Sequence, residues 1–222
     1  MHPTLTGLFL AAILAGPLAA QDSTPAPRHR PRSPYHKVTI SPVGGVNFAT
    51  WGGKDTGPGA TRRTGLHAGV MITAGISRLM AFQAGALYSQ EGTGVDVPGS
   101  TVVGGINVDY IRVPVLLKAR ATLQELPVRP YLVAGSAFGF KVKCEVEARS
   151  GTQSSTVQCD DPALGLNLTS LDIGLVLGAG VDIGRLTVGL RYQPGLRSID
   201  DTSNEPSDVH NTLLALTAGF AF

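Results

Sequence analysis

The sequence predicts an all-β protein, an eight-stranded antiparallel up-and-down transmembrane β-barrel, on three observations. Between Val38 and Phe222 apolar residues alternate with small or polar ones, the period-two pattern of strands with unlike faces. The connections between these segments are long and short by turns, as when one rim of a barrel carries tight turns and the other carries loops. The chain closes on His210 to Phe222 (HNTLLALTAGFAF), an alternating strand that ends on two aromatics. Composition agrees: 28 Gly disfavour a helical bundle, because Gly costs about 1 kcal/mol at each helix-interior position. A net charge of +2 gives no electrostatic basis for a nucleic-acid partner.

Residues 1–20 read as a cleavable signal peptide: an apolar run from Leu8 to Leu18 with a Gly16-Pro17 break, then Ala19-Ala20 before polar Gln21 and Asp22. The one departure is an n-region that offers His2 in place of Lys or Arg. Residues 21–37 form a Pro-rich basic linker without apolar periodicity. Its Arg28, Arg30, Arg32 and Lys37 suit a solvated spacer or contact with anionic headgroups or peptidoglycan. No transmembrane helix is expected, since the best apolar run, Ile173 to Val181, is short and bracketed by Asp172 and Asp182.

Residues 38–222 are the barrel domain. The first segment, Val38 to Ala49, sets Ile40, Val46 and Phe48 against Thr39, Ser41 and Asn47, and a Gly-rich connection follows from Trp51 to Arg62. Thr64 to Ile76 alternates Leu66, Val70 and Ile72 with His67, Met71 and Thr73. After a tight turn, Met80 to Gln90 opposes Phe82 and Tyr88 to Gln83 and Ser89, and a long connection is expected over Glu91 to Ile106. Asn107 to Arg120 places Ile111, Val113, Val115 and Leu117 opposite Arg112, Leu116 and Lys118, with Pro114 requiring a bulge or an unpaired position. Arg129 to Cys144 puts Leu132, Phe138, Phe140 and Val142 opposite Tyr131, Gly135 and Lys141, and the longest connection, Glu145 to Leu168, follows. Ser170 to Ile183 sets Ile173, Leu175 and Leu177 against Asp172, Gly178, Gly180 and Asp182. Leu186 to Leu196 separates Val188, Leu190 and Tyr192 from Gly189, Arg191 and Gln193, and the closing strand comes last.

The apolar faces carry no charge in their central stretches, whereas the opposite faces hold His67, Arg112, Lys118, Asp172, Asp182 and Arg191 among many Gly. A soluble barrel would turn its charges out; a membrane barrel inverts this. Crowded small residues suit an eight-stranded interior, which side chains just fill, so these six residues are assigned to a polar lumen cluster whose opposite charges pair. An open sheet edge is too costly in hydrocarbon, so the last strand must meet the first. Phe48, Trp51 and Tyr88 fall toward the outer end, and Phe82, Phe220 and Phe222 toward the inner end, as two aromatic girdles would.

The segment Tyr110-Ile-Arg-Val-Pro-Val-Leu-Leu-Lys118 resembles a strand of the PorT-like outer-membrane β-barrel proteins, and Pro130-Tyr-Leu-Val-Ala-Gly135, Gly178-Ala-Gly180 and Gly189-Leu-Arg-Tyr192 follow in comparable order. The resemblance implies a barrel in the bacterial outer membrane, in a family whose biochemical roles are mostly unassigned and some of whose members are linked to protein secretion.

Cys144 and Cys159 flank the longest connection, and in an exported protein this invites a disulfide. Closing about 15 residues would stabilise by roughly 3 kcal/mol. Val176 to Gly184 imitates a dinucleotide fingerprint, yet its third Gly comes one residue late and a strand follows, so no cofactor is expected, and two Cys with no His nearby give no metal site. Asn167-Leu-Thr169 matches a glycosylation acceptor that a bacterial context makes incidental. His67 could form a catalytic pair with lumen carboxylates, but an interior hydrogen-bonded His is the simpler reading. The expected function is therefore that of a non-enzymatic outer-membrane barrel with a filled lumen, acting through its loops on an envelope or extracellular protein. Its other partners would be membrane lipid and the barrel-assembly machinery, which would read Phe220 and Phe222 as the C-terminal signal of a monomer. An exported lipocalin-like carrier and a lipid-modifying barrel enzyme are the alternatives.

Overall fold

The computed structural model describes residues 37–54, 56, 59–96, 102–121, 127–150, 153–164, 168–199 and 208–222. The signal segment 1–20 and all of the linker but Lys37 lie outside the described residues. The described residues form nine strands: β1 (Val38–Gly52), β2 (Ala60–Gly75), β3 (Met80–Asp96), β4 (Val102–Arg120), β5 (Val128–Ser150), β6 (Gln153–Gln158), β7 (Leu171–Ile183), β8 (Leu186–Pro194) and β9 (His210–Phe220). Eight of them close a ring in the order β1, β2, β3, β4, β5, β7, β8, β9, every pair antiparallel. Closure is made by β9 on β1, from Val43 opposite Gly219 to Gly52 opposite His210. Each ring strand thus has a neighbour on both sides, which is the condition for a sheet in hydrocarbon.

Strand parity decides what faces where. Leu66, Ile72, Leu132, Leu177, Leu190, Leu216 and Phe220 stand exposed on the outside. Met71, Leu116, Asn47 and Asp172, one position out of phase, are buried inside. The outer surface is thus the apolar one, as a lipid solvent requires and water does not. Phe220 and Phe222 meet edge to face with ring centres 5.1 Å apart. Trp51 departs from the girdle expected of it: it stands at the outer end but packs inward, against the cluster of Val108, Tyr110, Cys159 and Leu168.

Three connections are shorter than the sequence suggests, because the strands continue. Of the stretch Glu91 to Ile106, β3 takes residues through Asp96 and β4 begins at Val102. Of Trp51 to Arg62, β1 keeps the first two residues and β2 begins at Ala60. Of Glu145 to Leu168, β5 runs on to Ser150 and turns back as β6, which lies outside the ring and pairs with β5 from Glu145 opposite Gln158 to Ser150 opposite Gln153. Beyond the apolar band the outward face of a strand meets water rather than lipid, so the strand keeps its backbone ladder and loses the contrast in polarity by which a sequence reveals it. Pro114 sits where the β3–β4 ladder breaks, between Ala84 opposite Val115 and Leu87 opposite Arg112. Lacking an N–H, it costs no ladder bond there.

The middle of the interior is packed rather than hollow. Val43, Met71, Leu87, Leu116, Tyr131, Val133, Ala137 and Val176 form an apolar layer across the lumen. The glycines opposite make room for it. A Cβ on Gly180 would stand 2.5 Å from the Tyr131 ring, and one on Gly178 would stand 2.9 Å from Val133. The Gly-rich run on β7 is therefore a seat for bulky neighbours on β5.

Candidate functional site

The lumen holds charge at two heights, separated by the apolar layer. At the upper height, β4 brings in Arg112, which is buried and donates from Nε to Glu91 Oε1 at 2.7 Å and from Nη2 to Glu91 Oε2. The same Nη2 donates to Asp172 Oδ2 on β7 at 2.7 Å. Ser89 Oγ donates to Glu91 Oε1 at 2.7 Å, Asn47 Nδ2 to Ser89 Oγ at 2.8 Å, and Asn211 Nδ2 to Glu91 Oε2 at 2.5 Å. The guanidinium also lies over the Tyr110 ring, 4.8 Å from its centre. Side chains from β1, β3, β4, β7 and β9 are thereby tied into one network. Buried charges are tolerable only when paired and hydrogen-bonded in this way.

At the lower height, Lys118 Nζ donates to Asp182 Oδ1 at 2.8 Å and Arg120 Nε lies 3.3 Å from Asp182 Oδ2. The Lys118 ammonium also sits 3.7 Å from the centre of the Tyr131 ring. Arg191, on β8, donates to the neutral Gln83 Oε1 at 3.5 Å. His67 Nε2 shares a hydrogen bond of 2.9 Å with Thr217 Oγ1.

Of the six lumen residues named from sequence, the structure joins Arg112 with Asp172 and Lys118 with Asp182, and leaves Arg191 and His67 with neutral partners. Sequence reasoning misses Glu91, Asn47 as a ligand of the network, and Asn211. Glu91 falls in an expected connection, yet it continues the inward parity of Gln83, Leu87 and Ser89 on β3. Counting in twos past the last apolar residue finds it. Among the described residues no group of His, Cys, Asp and Glu is arranged to hold a metal.

The two mouths differ. At the outer one, the Cys144–Cys159 disulfide, with Cα atoms 5.4 Å apart, clamps the base of the β5–β6 hairpin. There too the Lys54 amide donates to Asp208 Oδ2 at 3.3 Å, and His210 Nε2 lies 2.7 Å from Asp208 Oδ1. The amide first, and His210 after it, hold the Asp208 carboxyl below its ordinary range. Among the described residues the other mouth, at the short-turn end, is open: a cavity of about 1110 Å³ reaches from the rim up to Tyr131 and Met71. Between the apolar layer and Arg112 only about 30 Å³ remains, and His67 and Arg191 reach its wall.

A closed ring of eight antiparallel strands, apolar toward its surroundings and charged within, defines a small transmembrane β-barrel. Residues 19–201 match the outer membrane protein beta-barrel domain, and the chain belongs to that family of the bacterial outer membrane. Similar solved structures include Ail, the attachment invasion locus protein of Yersinia pestis, at 15% identity over 84% of this chain and 99% of that one, with a TM-score of 0.40. Neisserial surface protein A is 13% identical over 83% of this chain and 97% of its own, TM-score 0.43. OprG from Pseudomonas aeruginosa is 13% identical over 85% and 97%, TM-score 0.48. Comparison with curated protein sequences gives no match.

Proposed function

We propose that this protein is a non-enzymatic interaction module: a monomeric barrel that seals and anchors while its β5–β6 hairpin meets an envelope or extracellular protein. The observation that carries this reading is the hairpin itself. It is paired along its length and covalently clamped, yet nearly all the side chains of β6 are exposed. Among the described residues β6 pairs with β5 alone, so its other edge offers backbone groups to a partner strand. Residues 1–20 would direct export and be removed, and residues 21–37 would act as a spacer. Phe220 and Phe222 would guide insertion by the assembly machinery. The PorT-like resemblance at Tyr110 to Lys118 favours a setting in protein secretion. The lipocalin-like alternative needs an apolar cavity, but the roomy space, at the short-turn mouth, is walled by Lys118, Arg120, Arg129, Arg185 and Arg191, and the space beside Arg112 is far below the several hundred Å³ such ligands take. For a lipid-modifying enzyme, His67 and the Thr217 hydroxyl would be the reacting pair, but among the described residues His67 Nδ1 has no hydrogen-bond partner, so no carboxylate orients the ring as a triad would require.

A photo-cross-linking residue at Thr156 in β6, in intact cells, should give a discrete adduct that weakens in Cys144→Ser, while the same probe at Ser77 in the opposite turn gives none. Equal labelling from both positions, or no adduct from Thr156, would remove the hairpin from the interface.

A further inference from the structure

The cavity at the short-turn mouth is strongly one-signed. Lys118 and Arg120, within it, are taken up by Asp182, which among the described residues is the single carboxylate side chain on its wall. Lys37, Arg129, Arg185 and Arg191 also line it, and these four make no ion pair among the described residues. Arg78 adds to the same wall. Lys37, Arg129 and Arg185 sit at the rim, on the approach to β1, at the start of β5 and in the β7–β8 turn, while Arg191 stands deeper, where the cavity meets the apolar layer. A cleft of one sign with low-dielectric walls focuses its field and concentrates counter-ions. Guanidinium forks match phosphate and carboxylate geometry.

We propose that this vestibule is a binding site for a small, multiply charged anion bearing phosphate or carboxylate groups, taken up from the side of the membrane that the short turns face, which is the periplasmic side in barrels of this kind. Its volume is that of a site for an organic anion rather than a bare ion. The segment 21–37 has the cavity's own sign, Arg28, Arg30, Arg32 and Lys37 against the lone acid Asp22, and so supplies no matching counter-charge. Arg191 at the head of the cavity and Arg129 and Arg185 at its mouth would grip opposite ends of the ligand.

Titration calorimetry of the full chain, purified from membranes in zwitterionic detergent, should show one saturable site for pyrophosphate that fades as salt is raised. Arg129→Gln with Arg191→Gln should weaken it by about tenfold or more, and Lys143→Gln, on the outer end of β5, should leave it unchanged. Heat-modifiable migration on gels establishes that each variant is folded, and Arg129→Gln with Arg185→Gln serves if the deeper change prevents folding. Competition by phosphatidylglycerol in nanodiscs, against phosphatidylcholine alone, assigns the bound phosphate to a lipid headgroup; its absence assigns it to a free solute. No saturable binding, or equal affinity in wild type and the Arg129 and Arg185 variant, would overturn the proposal.

Discussion

Glu91 has no exposed surface, and its carboxylate receives Arg112, Ser89 and Asn211. Removing it as Glu91→Ala would leave the Arg112 guanidinium with Asp172 as its one remaining acid and an Asn amide without its shorter bond. Breaking a buried pair from one side costs about 3–5 kcal/mol. Urea unfolding of the refolded barrel, followed through the single tryptophan, should therefore show a large fall in midpoint for Glu91→Ala and a smaller one for the isosteric Glu91→Gln. An unchanged midpoint in both would mean that the network contributes nothing to stability. At this scale the sequence is half legible. Arg112 and Asp172 stand amid apolar alternation and their inward parity can be counted, whereas Glu91 follows Gln90 and precedes Gly92, where polarity on both faces hides the phase.

At the scale of elements, the membrane-crossing parts of the strands are readable and the parts beyond them are not. Gln153–Gln158 (QSSTVQ) has one apolar residue and no alternation, so nothing in it announces a strand. It becomes one because the Cys144–Cys159 bridge closes a separation of 15 residues and the β5 ladder is already in place to receive it. The chain-entropy model values such a closure at about 3 kcal/mol. Since β6 lies outside the ring, the loss should be local. Cys144→Ser should speed proteolytic nicking between Glu145 and Asp160 severalfold and leave the heat-modifiable mobility of the barrel unchanged. Equal nicking rates in oxidised wild type and Cys144→Ser would mean that the bridge does not order the hairpin.

For the whole molecule, the decisive property is inversion: apolar residues outside, charges within. This is legible because period-two alternation survives wherever one face meets lipid. What periodicity cannot say is which face is which, and the Gly content of the charged face supplies that answer through the room needed by Tyr131 and Val133. Leu177, midway along β7 and exposed, tests the inversion. Leu177→Arg should destabilise the barrel refolded in lipid vesicles by about 2–4 kcal/mol, as at a bilayer midplane. At an exposed position of a water-soluble sheet the same change would move stability by about 0.5 kcal/mol or less, and a result that small would refute the lipid-facing assignment.

The apolar layer between the two heights of charge makes the inner cavity a cul-de-sac. A solute that enters past Arg185 meets Tyr131 and Met71 and must leave by the way it came. The measurable property of such a space is dwell time rather than throughput.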